Sequence, residues 1–541
     1  MADTASTTND AGGENKPAAQ AAPIPDNDPG DDKAALPVEN TALLIIGVML
    51  ASLLQVLDTT IANVALPHMQ SALGATLDSV TWVLTSYIVA SAVAMPATGW
   101  LSDRIGGRPL FIASVAGFIL TSMLCGMAQN LTEMVIFRAL QGVSGAFIAP
   151  LSQSFMLDAT RPSRHPQMMA IWGMGVIIGP IIGPVLGGWL TESWNWRWVF
   201  YVNLPLGIIS LILLIGNLPR RPLSPRKFDL SGFLMLAFAL AALQLLLDRG
   251  QGEDWFASVE IWIYFLVVVS CGWMAVIHIA TTKNPLFDRG LFADRNFFIA
   301  LMFMLVIGVV MFANMALLPP MLQQLLGYSV IDTGLVMMPR GIGVMISMQL
   351  AGLLSRKGVD ARILVGAGFA IMSFSMWQMA HWSLDVDSYH IVVSGLVQGL
   401  GLGLVFIPLN ITAFATLPFY LRTDGSSLLN LHRSIGSSIG ISIVTVLLAR
   451  NIQQSHSDIV SHITQETGTG SFNLSMADQF QQLGDMALTV INAEVTRQAS
   501  MVAYIDNFYL MMWMSLLAIP LVLFLSPAKT NGSPPPPVEG H

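Results

Sequence analysis

The sequence predicts an all-α polytopic membrane protein of fourteen spans, arranged as two six-helix halves with two helices inserted between them. Three observations carry this reading. The chain of 541 residues is 54% hydrophobic and 11% charged, against roughly 25% charged in an ordinary soluble domain, and no water-soluble fold hides so much apolar surface behind so few charges. The apolar residues run on without a break, as from Leu206 to Ile215, and lack the in/out alternation of barrel strands. Two stretches also recur. Gly99-Trp-Leu-Ser-Asp-Arg-Ile-Gly-Gly-Arg is echoed by Gly352-Leu-Leu-Ser-Arg-Lys-Gly, and Gln141-Gly-Val-Ser-Gly-Ala-Phe-Ile-Ala-Pro-Leu by Gln398-Gly-Leu-Gly-Leu-Gly-Leu-Val-Phe-Ile-Pro-Leu. The second and fourth segments therefore map onto the tenth and twelfth, a tandem duplication of the kind that builds many secondary transporters around a midplane site.

In chain order the apolar segments cover 42–66, 79–101, 109–128, 131–156, 167–190, 198–218, 230–248, 258–281, 296–320, 331–354, 361–381, 390–416, 425–449 and 502–526, each bounded by charges or turn residues and long enough to cross a bilayer. Loops after even-numbered segments hold Arg104, Arg108, Arg161, Arg164, Arg220, Arg221, Arg226, Lys227, Lys283, Arg289, Arg295, Arg356, Lys357, Arg362 and Arg422, whereas those after odd-numbered segments hold Arg197, Arg249, Arg450 and Arg497. Basic residues collect in cytoplasmic loops, so both termini are expected in the cytoplasm. The implied divisions are an acidic, disordered cytoplasmic tail at 1–40, a first half at 41–218, the inserted pair at 219–290, a second half at 291–526 and a Pro-rich cytoplasmic tail at 527–541. The second half includes a long external loop at 450–500, in which 474–497 has amphipathic spacing. The tail holds Asp3, Asp10, Glu14, Asp26, Asp28, Asp31, Asp32 and Glu39 against Lys16 and Lys33, eight minus two, which is six of the eight excess negative charges. It lacks the basic start and apolar core of a signal peptide.

No lysine follows a phosphate-cradling glycine loop, and no zinc-binding or nucleophile motif is present. Cys125 and Cys271 sit in apolar runs. No cofactor, metal site or nucleic-acid partner is expected, and work must come from an ion gradient. That requires an ionisable group inside the membrane, where a charge costs about 2.5–3.5 kcal/mol on insertion scales. Asp58 in segment 1 and Arg138 in segment 4 meet the requirement. The pair reads either as a proton-coupling site or as a fixed ion pair that orders the bundle. Gln141 shares a face with Arg138. Gln55, Asn63, Gln141, Asn314, Gln398, Asn410, Asn430 and Arg433 are candidate polar groups of a substrate cavity. Arg340, also in a span, reads as a charge-selecting group or a local pair. Gly99, Asp103, Arg104, Gly107 and Arg108 form a candidate cytoplasmic gate or a plain basic anchor. In segment 5, Gly175, Gly179, Gly183 and Gly187 recur every fourth residue, followed by Gly188, giving a stripe for close helix approach; Pro180 and Pro184 bend the same segment.

These motifs resemble the major facilitator superfamily, in particular its 14-helix drug:proton antiporter branch of the EmrB/QacA type. Leu57-Asp-Thr-Thr-Ile-Ala-Asn-Val-Ala-Leu-Pro67 is similar to that branch's first-helix motif, Gly99 to Arg108 to the superfamily loop motif, Arg138-Ala-Leu-Gln-Gly to the fourth-helix motif, Gly175 to Gly188 to the antiporter motif, and Trp196 to Gly207 to an EmrB-type signature. The resemblance implies a major facilitator fold and a secondary active transporter, not an enzyme. It implies proton-driven export of small hydrophobic or amphipathic compounds by alternating access, with Asp58 and Arg138 coupling protons. It further implies a bacterial inner-membrane location among lipid, and a periplasmic membrane-fusion adaptor and outer-membrane channel as partners, which the 450–500 loop would suit. Export of an endogenous fatty acid or metabolite is a second reading, and a non-transporting receptor or scaffold a third. The acidic tail and Arg340 depart from the family pattern.

Overall fold

The computed structural model describes residues 34–36, 38–224, 226–462 and 485–525. The segment 527–541, nearly all of the 1–40 tail and the middle of the 450–500 loop lie outside the described residues. Among the described residues fourteen long helices follow one another: α1 (Thr41–Ala72), α2 (Trp82–Ile105), α3 (Gly107–Met127), α4 (Leu131–Asp158), α5 (Pro162–Ser193), α6 (Trp198–Asn217), α7 (Leu230–Arg249), α8 (Val259–Thr281), α9 (Arg295–Leu325), α10 (Val330–Arg356), α11 (Ala361–Met379), α12 (Ser388–Ala415), α13 (Phe419–His462) and α14 (Thr489–Phe524). All but α11 are long and apolar enough to cross a membrane; Arg362, Ser373, Ser375 and Gln378 make α11 more polar. No strand occurs among the described residues. Polar caps fix the starts: Asn40 accepts from the Leu43 N–H, Asn130 from Glu133, Asp229 from Gly232, Asp294 from Phe297 and Asp387 from His390. Each cap is worth about 1 kcal/mol.

One packing pattern occurs twice. In the first half α1 lies against α5 and α6, α4 against α2 and α3, and α3 against α6; in the second, α9 lies against α13 and α14, α12 against α10 and α11, and α11 against α14. The halves meet where α5 crosses α10 and where α2 and the end of α4 touch α13. The inserted pair stands to one side: α7 packs on α2 and α13, and α8 packs on α7 while turning Trp262, Leu266 and Trp273 outward. A helix apolar all round suits lipid contact.

Two outcomes extend the sequence reading. Expected to end at 449, α13 runs on to His462, and α14 begins by Thr489 rather than 502. At 44 residues α13 is about 66 Å long, twice the roughly 30 Å hydrocarbon layer. Its far end pairs with α14 through His456 and Asn492 (3.0 Å) and through Asn451 and Asp506 (3.2 Å). The 1–40 tail is ordered at its end, where Leu36 is buried and donates its N–H to the Asp158 carbonyl (2.8 Å). This contact lies at the end of the bundle where the arginine-rich loops gather, called the basic end below.

Candidate functional site

The polar centre of the first half is built on Asp58. Val56, Leu57, Ile61 and Ala62 make α1 apolar on both sides of the carboxylate, so the fold must supply its partners, and two other helices, α4 and α6, do. Asp58 Oδ2 accepts from Arg138 Nη1 at 2.6 Å, while Oδ1 accepts from Gln141 Nε2 at 2.9 Å and Asn203 Nδ2 at 2.7 Å. All four residues are fully buried. Arg138 is fixed in turn: Nε donates to the Val83 carbonyl (3.0 Å), Nη1 to Gln141 Oε1 (2.8 Å), and the guanidinium lies 4.4 Å from the Tyr87 ring centre. Asn203 also donates to Ser122 Oγ (2.9 Å). Charge-assisted bonds of this kind are short and strong, and loss of one partner leaves a buried charge uncompensated. Gln55 lies one turn before Asp58 with its Oε1 buried and unpaired, and Asn63 is exposed.

The glycine stripe of α5 presses against the backbone that carries Asp58. A Cβ on Gly183 would overlap Thr60, one on Gly187 would lie 2.8 Å from Ile61 Cγ1, and one on Gly179 would lie 3.0 Å from the Leu57 nitrogen; Gly175 has ordinary clearance from Met49 at 3.5 Å. Thr60 Oγ1 reaches the Gly179 carbonyl at 3.4 Å. Gly188 faces Val330 on α10 instead. Pro180 and Pro184 line a cleft between the halves, together with Met311, Met315 and Arg340. Arg340 donates to Asn314 Oδ1 (3.0 Å), and Asn314 Nδ2 approaches the Met379 sulfur (3.5 Å). Gln398 is buried nearby on α12 with both polar side-chain atoms unpaired by protein.

At the basic end the halves are sealed together. Of the gate residues, Gly99 lies so close to α13 that a Cβ would overlap the Asp424 carboxylate. Asp103 pairs with Arg226 (3.1 Å), and Arg226 bridges onward to Asp424 (2.7 Å). Gly107 gives room to Phe155 and follows Gly106, whose φ of 96° makes the turn between α2 and α3. Arg104 and Arg108 stay outside this network: Arg104 lies over Trp100, and Arg108 donates to the Ile215 carbonyl (2.6 Å). Sequence reasoning passed over the residues that close the seal. Arg221 binds Asp158, Ser154 (2.6 Å) and Thr423 (2.5 Å), and Arg422 binds Asp158 (3.0 Å). Further inward, Gln153 donates to Asn410 Oδ1 (2.6 Å) and accepts from Ser426 (2.6 Å) and Asn430 (3.1 Å), while Arg433 donates to Asn430 (3.1 Å). Asn410 and Asn430, read as cavity groups, thus hold the two halves to each other. Asn203 was also missed as a site residue, although it stands inside the quoted Trp196 to Gly207 stretch.

The family model described as Major Facilitator Superfamily matches residues 48–441. Over 500 residues the chain is 33% identical to the fatty acid resistance protein FarB of Neisseria gonorrhoeae, covering 92% of this chain and 98% of the relative. It is 32% identical over 502 residues to the multidrug export protein EmrB of Escherichia coli strain K12, covering 91% and 97%. Among solved structures, the proton:xylose symporter XylE shares the fold with a TM-score of 0.57 at 14% identity, over 90% of this chain and 96% of that one.

Proposed function

The chain belongs to the major facilitator superfamily, and from that premise we propose that it is a proton-driven antiporter exporting hydrophobic or amphipathic compounds. One observation carries the reading: a fully buried carboxylate, Asp58, held by Arg138, Gln141 and Asn203 in the half whose α1 packs against the glycine stripe of α5. An ionised Asp58 keeps α1, α4 and α6 tied together. A proton on Asp58 removes its charge, weakens the Arg138 bond and frees α1 to shift against its neighbours. Arg138, Gln141 and Asn203 all donate to the carboxylate and so fix its position between α4 and α6. Alternating access follows if the halves rock about the cleft between α5 and α10. By the positive-inside rule the sealed basic end faces the cytoplasm, so the proton that loads Asp58 would enter from the opposite, external end.

The similarity to EmrB supports a multidrug cargo and a bacterial inner-membrane setting, and that to FarB supports fatty-acid export as the second reading. The extended ends of α13 and α14 would give an external surface for a membrane-fusion adaptor leading to an outer-membrane channel. Purified protein in liposomes tests the central step. Export substrates added under a pH gradient should drive proton flux that empty liposomes lack. Substrate movement with no proton flux would sink the coupling.

A further inference from the structure

Arg340 is a buried cation bonded to neutral groups. It is 7% exposed and lies ten residues into α10, about 15 Å from that helix's start and so near the bilayer centre. Both of its bonds go to neutral oxygens, Asn314 Oδ1 at 3.0 Å and the Met311 carbonyl at 3.4 Å, and no carboxylate pairs with it among the described residues. A guanidinium at that depth is costly unless it faces a cavity or a counter-charge. It does face a cleft, whose walls are Pro180 and Pro184 from the first half and Met311, Met315 and Met337 from the second. Such walls suit varied apolar bodies, because thioethers repack easily. Leu402 of α12 lines the same cleft. One turn away on the same face, Gln398 is buried with an unpaired Nε2 and Oε1. Gly395 and Gly399 bring that part of α12 against Arg340, Gly395 with 3.6 Å between a built Cβ and Arg340 Cβ.

The charge balance of the interior points the same way. Asp58 and Arg138 cancel each other at 2.6 Å, whereas Arg340 and Arg433, the latter bonded to Asn430 Oδ1, are left over. We propose that Arg340, aided by Gln398, is the headgroup subsite for an amphipathic organic anion, and that such anions are the favoured cargo. This rests on the transport reading above.

The test uses three probes with one apolar body: pyrenesulfonate, pyrenemethanol and (pyrenylmethyl)trimethylammonium. Binding to the purified full chain in nanodiscs of neutral lipid is followed by fluorescence. The sulfonate should bind about tenfold or more tighter than the alcohol, as expected for a charge-assisted contact in an apolar site. Arg340→Gln should remove that preference and leave alcohol binding within about twofold, and Arg340→Lys should retain most of it because the charge survives. Gln398→Leu, which keeps Arg340, should weaken the sulfonate alone by about threefold to tenfold, and it decides the matter if Arg340→Gln does not fold. An unchanged sulfonate-to-alcohol ratio in Arg340→Gln and Gln398→Leu, or tightest binding of the cation, overturns the proposal. Loss of sulfonate binding when phosphatidylglycerol is added also overturns it, by giving Arg340 to bilayer lipid. If the sulfonate preference is absent while the cation or the alcohol is still exported with protons in liposomes, the subsite fails and the transport function stands; intact sulfonate selectivity without any probe-driven proton flux counts against the transport function instead.

Discussion

Asp58 has three donors, and they are not equivalent. Arg138 carries the compensating charge, while Gln141 and Asn203 share Oδ1. Arg138→Gln should therefore be the most damaging change, since removing one partner of a buried pair costs about 3–5 kcal/mol. Proton-coupled transport should disappear while membrane insertion persists, as checked by immunoblot beside a liposome flux assay. Asn203→Leu removes a single bond to a charged group, worth about 1.5–3 kcal/mol. Its transport should slow by about tenfold and its unfolding temperature should fall, though less than that of Arg138→Gln, and full activity would show that Asn203 is idle. At this scale the sequence was half legible. Asp58 and Arg138 stand out because ionisable residues are rare in spans. Asn203 does not, because its meaning depends on α6 lying against α1 and α3, which no spacing along the chain reveals. Asn410 and Asn430 are ambiguous in the sequence for the complementary reason: a polar residue in a span announces a partner but not whether that partner is a ligand or the other half of the protein.

Among the elements, α5 does two things with two faces. Its glycines admit α1, and its prolines line the cleft beside Arg340. Because a Cβ on Gly183 meets Thr60, Gly183→Val should force α5 off α1 at a cost of about 1–3 kcal/mol, seen as a lowered unfolding temperature in detergent together with lost transport. Gly175→Ala, which meets Met49 at 3.5 Å, should change neither. The glycine period was plain in the sequence; the helix it serves was not, since a smooth stripe fits any neighbour. The lengths of α13 and α14 were hidden for another reason. Hydropathy reports where a helix leaves lipid, not where it ends, so polar residues 450–462 read as loop although the helix continues through them.

For the whole molecule, the seal at the basic end ties the halves through a connector that belongs to neither bundle. Arg221 and Arg226 lie between α6 and α7, yet both reach α13, through Thr423 and Asp424. In the sequence they were indistinguishable from ordinary basic-loop residues, because their partners are remote in the chain. The connector thus links the inserted pair to the closed state. Arg221→Ala combined with Arg226→Ala should shift the resting population toward the state open at the basic end. A cysteine placed at buried Ser426, in a background lacking Cys125 and Cys271, should then react about tenfold faster with a maleimide added from that side, given that exposed arms of the network contribute less than the buried Asp158 pair. Unchanged labelling would mean that Gln153 and its partners hold the seal alone. Proton coupling through Asp58 remains the claim on which the rest depends, and Asp58→Asn tests it most directly. Reconstituted beside the natural protein, it should still exchange labelled substrate across the liposome membrane at equal pH but should no longer accumulate it against a concentration difference when a pH gradient is imposed. Gradient-driven accumulation by Asp58→Asn equal to that of the natural protein would contradict the account.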